Sequence, residues 1–254
     1  MLDTAIQWTD MTVNFWIGCT KVSAGCRYCY MFRDATRYGS DASALRRTKP
    51  DTFERPLKVY EPKLIFTCSW SDFFHPDADA WRADAWDVIR RTPWHRWQIL
   101  TKRPERISQC LPDDWGEGWD NVWLGTTVEN NQSVSRIETL RQIPAKVRFI
   151  SAEPLLEDVD FQSLEGVHWV ILGGESGNKK GQFRYRPMEI EWLESGIRQC
   201  QDQKVPVFVK QLGTYQKDVL ELKDRHGGDI SEWPESYQIR KMPLDFHDWQ
   251  SSAG

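Results

Sequence analysis

No run in this sequence approaches the roughly 20 apolar residues that a membrane-crossing helix needs, so no membrane contact is expected. The first ten residues carry Asp3 and Asp10 and no apolar h-region. No secretory signal is therefore expected, and the location inferred is cytoplasmic. Charge of one sign is equally scarce: 33 Lys and Arg against 37 Asp and Glu leave a formal net charge of −4. Such a chain has no global field to gather nucleic acid, so any nucleic-acid contact needs a local basic patch. Neither an internal repeat nor a low-complexity segment is evident, which excludes solenoids and propellers.

What is present is the balance of a folded domain, with 40% hydrophobic and 28% charged residues. Fourteen tryptophans are many for 254 residues. Trp70, Trp81, Trp86, Trp97 and Trp169 fall inside periodic segments, which assigns them to a core before any stacking role. Short apolar runs alternate with amphipathic stretches. Runs at 64–68, 97–100, 122–125, 147–150, 169–172 and 207–209 read as buried strands. Helical spacing marks 79–91, 105–111, about 132–142 and 190–203. With an extended segment at 13–17, about seven strands separated by crossover-length segments predict an α/β fold with a parallel sheet. Periodicity leaves a doubly wound sheet and a partial barrel equally open.

Two regions break this rhythm. Residues 39–63 are polar, with Arg46, Arg47, Lys49 and prolines at 50, 56 and 62, and read as an insertion covering one end of the sheet. After Gly213 the pattern fades, so the main unit is expected over 1–213 and an accessory tail over 214–254.

The sharpest local signal is Cys19-Thr-Lys-Val-Ser-Ala-Gly-Cys26-Arg-Tyr-Cys29. A Cys-x-x-Cys pair brings two thiolates to one metal centre from a tight turn, which Gly25 eases, and the third thiolate lies within loop reach. A closed zinc site needs four ligands. A four-iron cluster on three cysteines instead leaves one iron open to a small chelating molecule. Structural zinc remains the rival, with Cys68 or His75 as fourth ligand. Cys110 and Cys200 sit on helical patterns and read as buried thiols.

Cys26-Arg27-Tyr28-Cys29, with an aromatic before the last cysteine, resembles the second half of the radical S-adenosylmethionine signature, although the first gap is six residues rather than three. The wider sequence resembles the phage and prophage three-cysteine-motif family of unassigned function, which is radical-SAM-like. Matching stretches are Trp8-Thr9-Asp10, Asn14, Gly18 to Ser23, Thr101 to Arg106, Trp123-Leu124-Gly125 and Val128-Glu129-Asn130. They continue with Ser151 to Leu156, Gly173 to Gly177 and Val209 to Gly213, covering roughly residues 7 to 213. The resemblance implies a partial (β/α) barrel of six or seven parallel strands, a 4Fe-4S cluster and S-adenosylmethionine. It also implies an external one-electron reductant and a 5′-deoxyadenosyl radical. Its cluster loop is similar in logic to that of DNA photoproduct lyases. With the phage association, this points to a nucleotide or nucleic-acid substrate. The competing reading is a non-catalytic zinc module that binds another protein.

In parallel α/β folds, function collects at the carboxyl ends of strands. There this sequence places Ser69, Ser71 and Asp72; Thr101, Lys102 and Arg103; Thr126, Thr127 and Glu129; Ser151 and Glu153; Glu175; and Lys210 with Gln211. The expected ligands of the cluster are Cys19, Cys26 and Cys29, with Tyr28 packed near the cluster or the adenine. Gly173 and Gly174 permit close backbone approach, and Glu175 offers a carboxylate to an ammonium or ribose hydroxyl. Lys102 and Arg103 are candidates for a carboxylate or phosphate. Glu153 and Lys210 are the catalytic candidates. A lysine ending an apolar strand needs a partner, so Glu153 or Glu175 is expected beside Lys210. Arg90, Arg91, His95 and Arg96 precede a strand, at the far end from this mouth, and read as a solvated helix end.

Overall fold

The computed structural model describes residues 4–243. Nine strands occur in chain order: β1 Met11–Thr12, β2 Trp16–Ile17, β3 Arg46–Arg47, β4 Leu64–Thr67, β5 Arg96–Thr101, β6 Val122–Thr127, β7 Val147–Ala152, β8 Trp169–Gly173 and β9 Val207–Gln211. Seven of them form one sheet in the order β1-β4-β5-β6-β7-β8-β9, and every neighbouring pair is parallel. The sheet curls into a half-barrel, so the partial-barrel expectation holds and the doubly wound alternative does not.

The helices are α1 Tyr30–Arg37, α2 Pro50–Phe53, α3 Asp79–Arg90, α4 Ile107–Cys110, α5 Ser135–Arg141, α6 Ile190–Asp202 and α7 Gly213–Val219. The larger ones cover the convex face through apolar stripes of helical period. In α6, for example, Leu193, Gly196, Ile197 and Cys200 are the buried residues. Alternation along each strand supplies the other half of the contact. Trp97, Ile99, Val122, Leu124, Ile150, Val170 and Val207 belong to the helix-side core. Leu64, Phe66, Trp123, Phe149, Trp169 and Phe208 fill the concave side around Trp8. Most tryptophans are thus accounted for by packing; Trp97, Trp123 and Trp169 are fully buried.

The front of the chain departs from expectation. The segment predicted at 13–17 is two short strands: β1 lies earlier and opens the main sheet, while β2 pairs antiparallel with β3. Asn14 sits between them, accepting from Trp70 N at 2.7 Å and donating to Ser69 Oγ at 3.1 Å. The inserted region 39–63 contributes β3 and α2 and runs beside β2, with Thr48 N donating to Phe15 O at 3.0 Å. The tail turns back on the open edge of β9, where Arg240 bridges Phe208 in antiparallel sense and Val209 N donates to Ile239 O at 2.7 Å. Residues 1–3 and 244–254, the latter belonging to the accessory tail expected over 214–254, lie outside the described residues.

Candidate functional site

Parallel strands send all their carboxyl ends to one mouth, and a cavity of about 600 Å³ opens there. Cys19, Cys26 and Cys29 line it from the loop between β2 and α1. Lys102, Ser151, Glu153 and Lys210 line it from the ends of β5, β7 and β9. Trp8, Phe66 and Leu100 supply apolar wall. The three cysteines and both catalytic candidates therefore face the same space.

The cysteine loop is held by buried polar contacts, and most strand-end residues read from the sequence serve that purpose. Arg103 donates to Thr20 Oγ1 at 2.8 Å and Thr20 O at 3.0 Å, and its Nη1 lies 4.0 Å from Cys19 Sγ. Asp72 pairs with Arg103 at 3.2 Å and accepts from Thr101 Oγ1 and Lys102 N. Glu129, with no exposure, accepts from Ser23 Oγ and from Gly25 N on one oxygen, and from Arg136 at 2.9 Å on the other. Burial alone would raise its pKa, but Lys102, the Ser23 hydroxyl and Arg136 outweigh it and hold the carboxyl below its ordinary value. Gly25 is required by this contact: a Cβ there would sit 3.0 Å from Glu129 Oε1. From the β8 end, Glu175 takes a two-pronged pair from Arg186, and Arg186 Nη1 donates to Ala24 O at 2.9 Å. Arg186 has no signal in the sequence, since it stands in an irregular stretch without periodicity.

Several expectations are corrected by these contacts. Arg103 and Glu175 are occupied by protein partners, and Glu175 does not line the cavity. Tyr28 is not on the cavity wall either; its ring lies between the guanidinium groups of Arg27 and Arg186, each 5.2 Å from the centroid. Tyr30 lines the cavity instead, its hydroxyl donating to Ser69 O. Gly173 and Gly174 serve packing: a Cβ on Gly173 would lie 2.9 Å from Glu153 Oε1, and one on Gly174 only 2.3 Å from Leu212 O. Thr126 and Gln211 also turn inward to backbone carbonyls, of Thr101 and Gly174.

Other expectations hold. Lys210 Nζ lies 3.1 Å from Glu153 Oε1, an ion pair without hydrogen-bond alignment. Ser151 Oγ donates to the other Glu153 oxygen at 3.2 Å, and the Glu153–Pro154 peptide is cis. Lys102 lines the cavity, and no carboxylate pairs with its Nζ among the described residues. At the far end, Arg90 pairs with Asp114 and Arg91 with Asp87 on the surface, as a solvated helix end would, but His95 departs from that reading: it is buried, with Lys63 N donating to its Nδ1.

Zinc and a four-iron cluster make different demands on the donor set. Two thiolates on one zinc ion stand about 3.8 Å apart, given Zn–S bonds of about 2.3 Å. Among the described residues no three His, Cys, Asp or Glu side chains converge on a single ion in this way. The proposed fourth ligands are also engaged. Cys68 Sγ is 2.9 Å from Thr67 Oγ1, while His75 contacts Thr20 Oγ1 at 3.0 Å through Nε2 and accepts from Asp77 N through Nδ1. A four-iron cluster makes a different demand, one thiolate per iron, so its ligands stand apart around a shared space. Three cysteines facing one cavity fit that donor set. Burial, then Asp72, pushes the Cys19 thiol up to about 11, and burial likewise raises Cys29.

The half-barrel is the fold of spore photoproduct lyase. A spore photoproduct lyase variant superposes with a TM-score of 0.58 at 15% identity, covering 82% of this chain and 78% of that one. A spore photoproduct lyase complexed with dinucleoside spore photoproduct gives 0.54 at 14% over 82% and 78%. A variant with bound AdoMet and dinucleoside spore photoproduct gives 0.53 at 14% over 84% and 79%. Residues 3–240 match the family described as "Protein of unknown function (DUF5131)", and the chain belongs to that family. No curated protein sequence matches it.

Proposed function

We propose that this protein is an iron–sulfur enzyme of the radical S-adenosylmethionine type, acting on a nucleotide or nucleic-acid substrate with an external one-electron reductant. The observation that carries the reading is the cavity, where three cysteines, an unpaired lysine and a Glu153–Lys210 pair face one another. The fold shared with a lyase whose solved complexes contain AdoMet and a dinucleoside lesion supports it.

Cys19, Cys26 and Cys29 would hold the cluster, leaving one iron open. Bound there, the cluster and S-adenosylmethionine supply reductive cleavage of a sulfonium and hence hydrogen abstraction from substrate. The chain's own residues do the rest. Lys102 offers a cation to a carboxylate or phosphate in the cavity. The Glu153–Lys210 pair presents a carboxylate and an ammonium to the same cavity, suited to polar groups of ligand or substrate. Trp8, Phe66 and Leu100 exclude water from the reacting groups. The contacts from Arg103, Glu129 and Arg186 fix the loop so that the three thiolates keep their spacing.

Anaerobic reconstitution with ferrous iron and sulfide tests the metal assignment. A brown protein with broad absorption near about 400 nm, from thiolate-to-iron charge transfer, is expected. A colourless protein that takes up zinc in preference would contradict it.

A further inference from the structure

Four cations line the cavity, and three are accounted for. Arg103 is paired with Asp72 and bound to Thr20, Lys210 is paired with Glu153, and Lys102 already has a ligand-binding role in the proposed function. The fourth is Arg55. It belongs to the inserted region, just after α2, and lines the cavity. Among the described residues no carboxylate and no carbonyl takes its guanidinium, although the residue is half-buried. An arginine held in a partly desolvated wall is a ready receptor for a planar or tetrahedral oxyanion, which its fork of N–H donors binds in bidentate fashion.

The surroundings indicate which oxyanion. Thr12, in β1, and Thr4, joined at 3.0 Å through their hydroxyls, also line the cavity. Trp8, Phe66 and Trp70 add flat aromatic surface. Hydroxyls and a guanidinium beside aromatic faces are the complement of a phosphate next to a base. The sheet is also open: β1 is an edge, so a chain longer than one nucleotide has a lateral way out of the cavity beside it.

We infer that Arg55 is a phosphate-binding residue in a substrate arm of this cavity, and that the substrate is a single-stranded polynucleotide lying across the β1 edge. The inference rests on the proposed function and deepens it by naming the substrate class. It assigns a role to the insertion, which otherwise only packs beside the sheet.

The test is binding of a short single-stranded oligodeoxynucleotide, followed by fluorescence anisotropy over a range of salt concentrations. Arg55→Ala is expected to weaken binding about tenfold and to make the salt dependence shallower by about 0.7, the slope contributed by one phosphate on a single strand. Arg55→Lys should recover part of the affinity and the slope. The 400 nm absorption and the melting temperature of both variants should match the parent, which separates a lost contact from a lost fold. Unchanged affinity and slope in Arg55→Ala would overturn the inference, as would a parent protein that does not bind the oligonucleotide. If that parent protein still cleaves S-adenosylmethionine, only the substrate assignment fails and the reading of the metal site stands.

Discussion

Replacing Cys26 by alanine is expected to abolish the 400 nm absorption of the reconstituted protein and to reduce cleavage of S-adenosylmethionine to background. The same loss is expected for Cys19→Ala and Cys29→Ala, because each iron held by the protein has a single thiolate and no spare donor is at hand. His75 and Cys68 cannot substitute, being engaged with Thr20, Asp77 and Thr67. The fold should survive. Cys26 Sγ makes one weak contact, to Ser23 Oγ at 3.9 Å, so its removal costs about 1 kcal/mol at most. In a chain of this size that lowers the melting temperature by about 2–4 °C. Cys110→Ala is the control. It lies on α4, away from the cavity, and should keep the full absorption. Iron-to-protein ratios and near-ultraviolet spectra decide the matter; full absorption in any of the three variants contradicts the ligand assignment.

The second large effect is expected at a residue that touches no metal. Glu129→Ala leaves the Arg136 guanidinium with only the Thr127 carbonyl and no carboxylate, and strands the Ser23 hydroxyl and Gly25 N–H in a buried setting. Breaking a buried pair from one side costs about 3–5 kcal/mol. That corresponds to a fall of roughly 6–20 °C in melting temperature. The cysteine loop loses its main anchor, so iron incorporation should drop as well. Glu129→Gln keeps an acceptor oxygen and should recover much of the stability. Arg186→Ala is a second test of anchoring. It strands the buried Glu175 carboxylate, so the melting temperature should also fall, and the cluster should be lost to chelator faster because Ala24 is released. A Glu129→Ala protein as stable and as iron-loaded as the parent would refute this anchoring role.

These two predictions also mark what the sequence reveals and what it hides. Strands β4 to β9 and helices α3, α5 and α6 are legible because their apolar periods of 2.0 and 3.6 extend over several residues. β1 and β2 are only two residues each, too short to carry a period, so the reading merges them. The three cysteines stand out by spacing alone. The strand-end residues are located correctly, yet their duties are not. Arg103, Glu129 and Glu175 face inward toward the cysteine loop, not outward to a ligand. Their partners are remote in sequence: Arg103 meets Thr20, Glu129 meets Gly25, and Arg186 meets Ala24 only after the chain has folded. Lys210 is the exception, because an ammonium ending the apolar run Val207-Phe208-Val209 demands a carboxylate, and only a few lie at the same mouth.

The central claim is that three thiolates hold a cluster with a vacant iron facing the cavity at the strand ends. Dithionite-dependent formation of 5′-deoxyadenosine and methionine from S-adenosylmethionine, measured on the anaerobically reconstituted full chain, tests it without knowledge of the substrate. The account predicts slow product formation that requires both reductant and cluster. A fully loaded, reducible cluster that neither binds nor cleaves S-adenosylmethionine would contradict it.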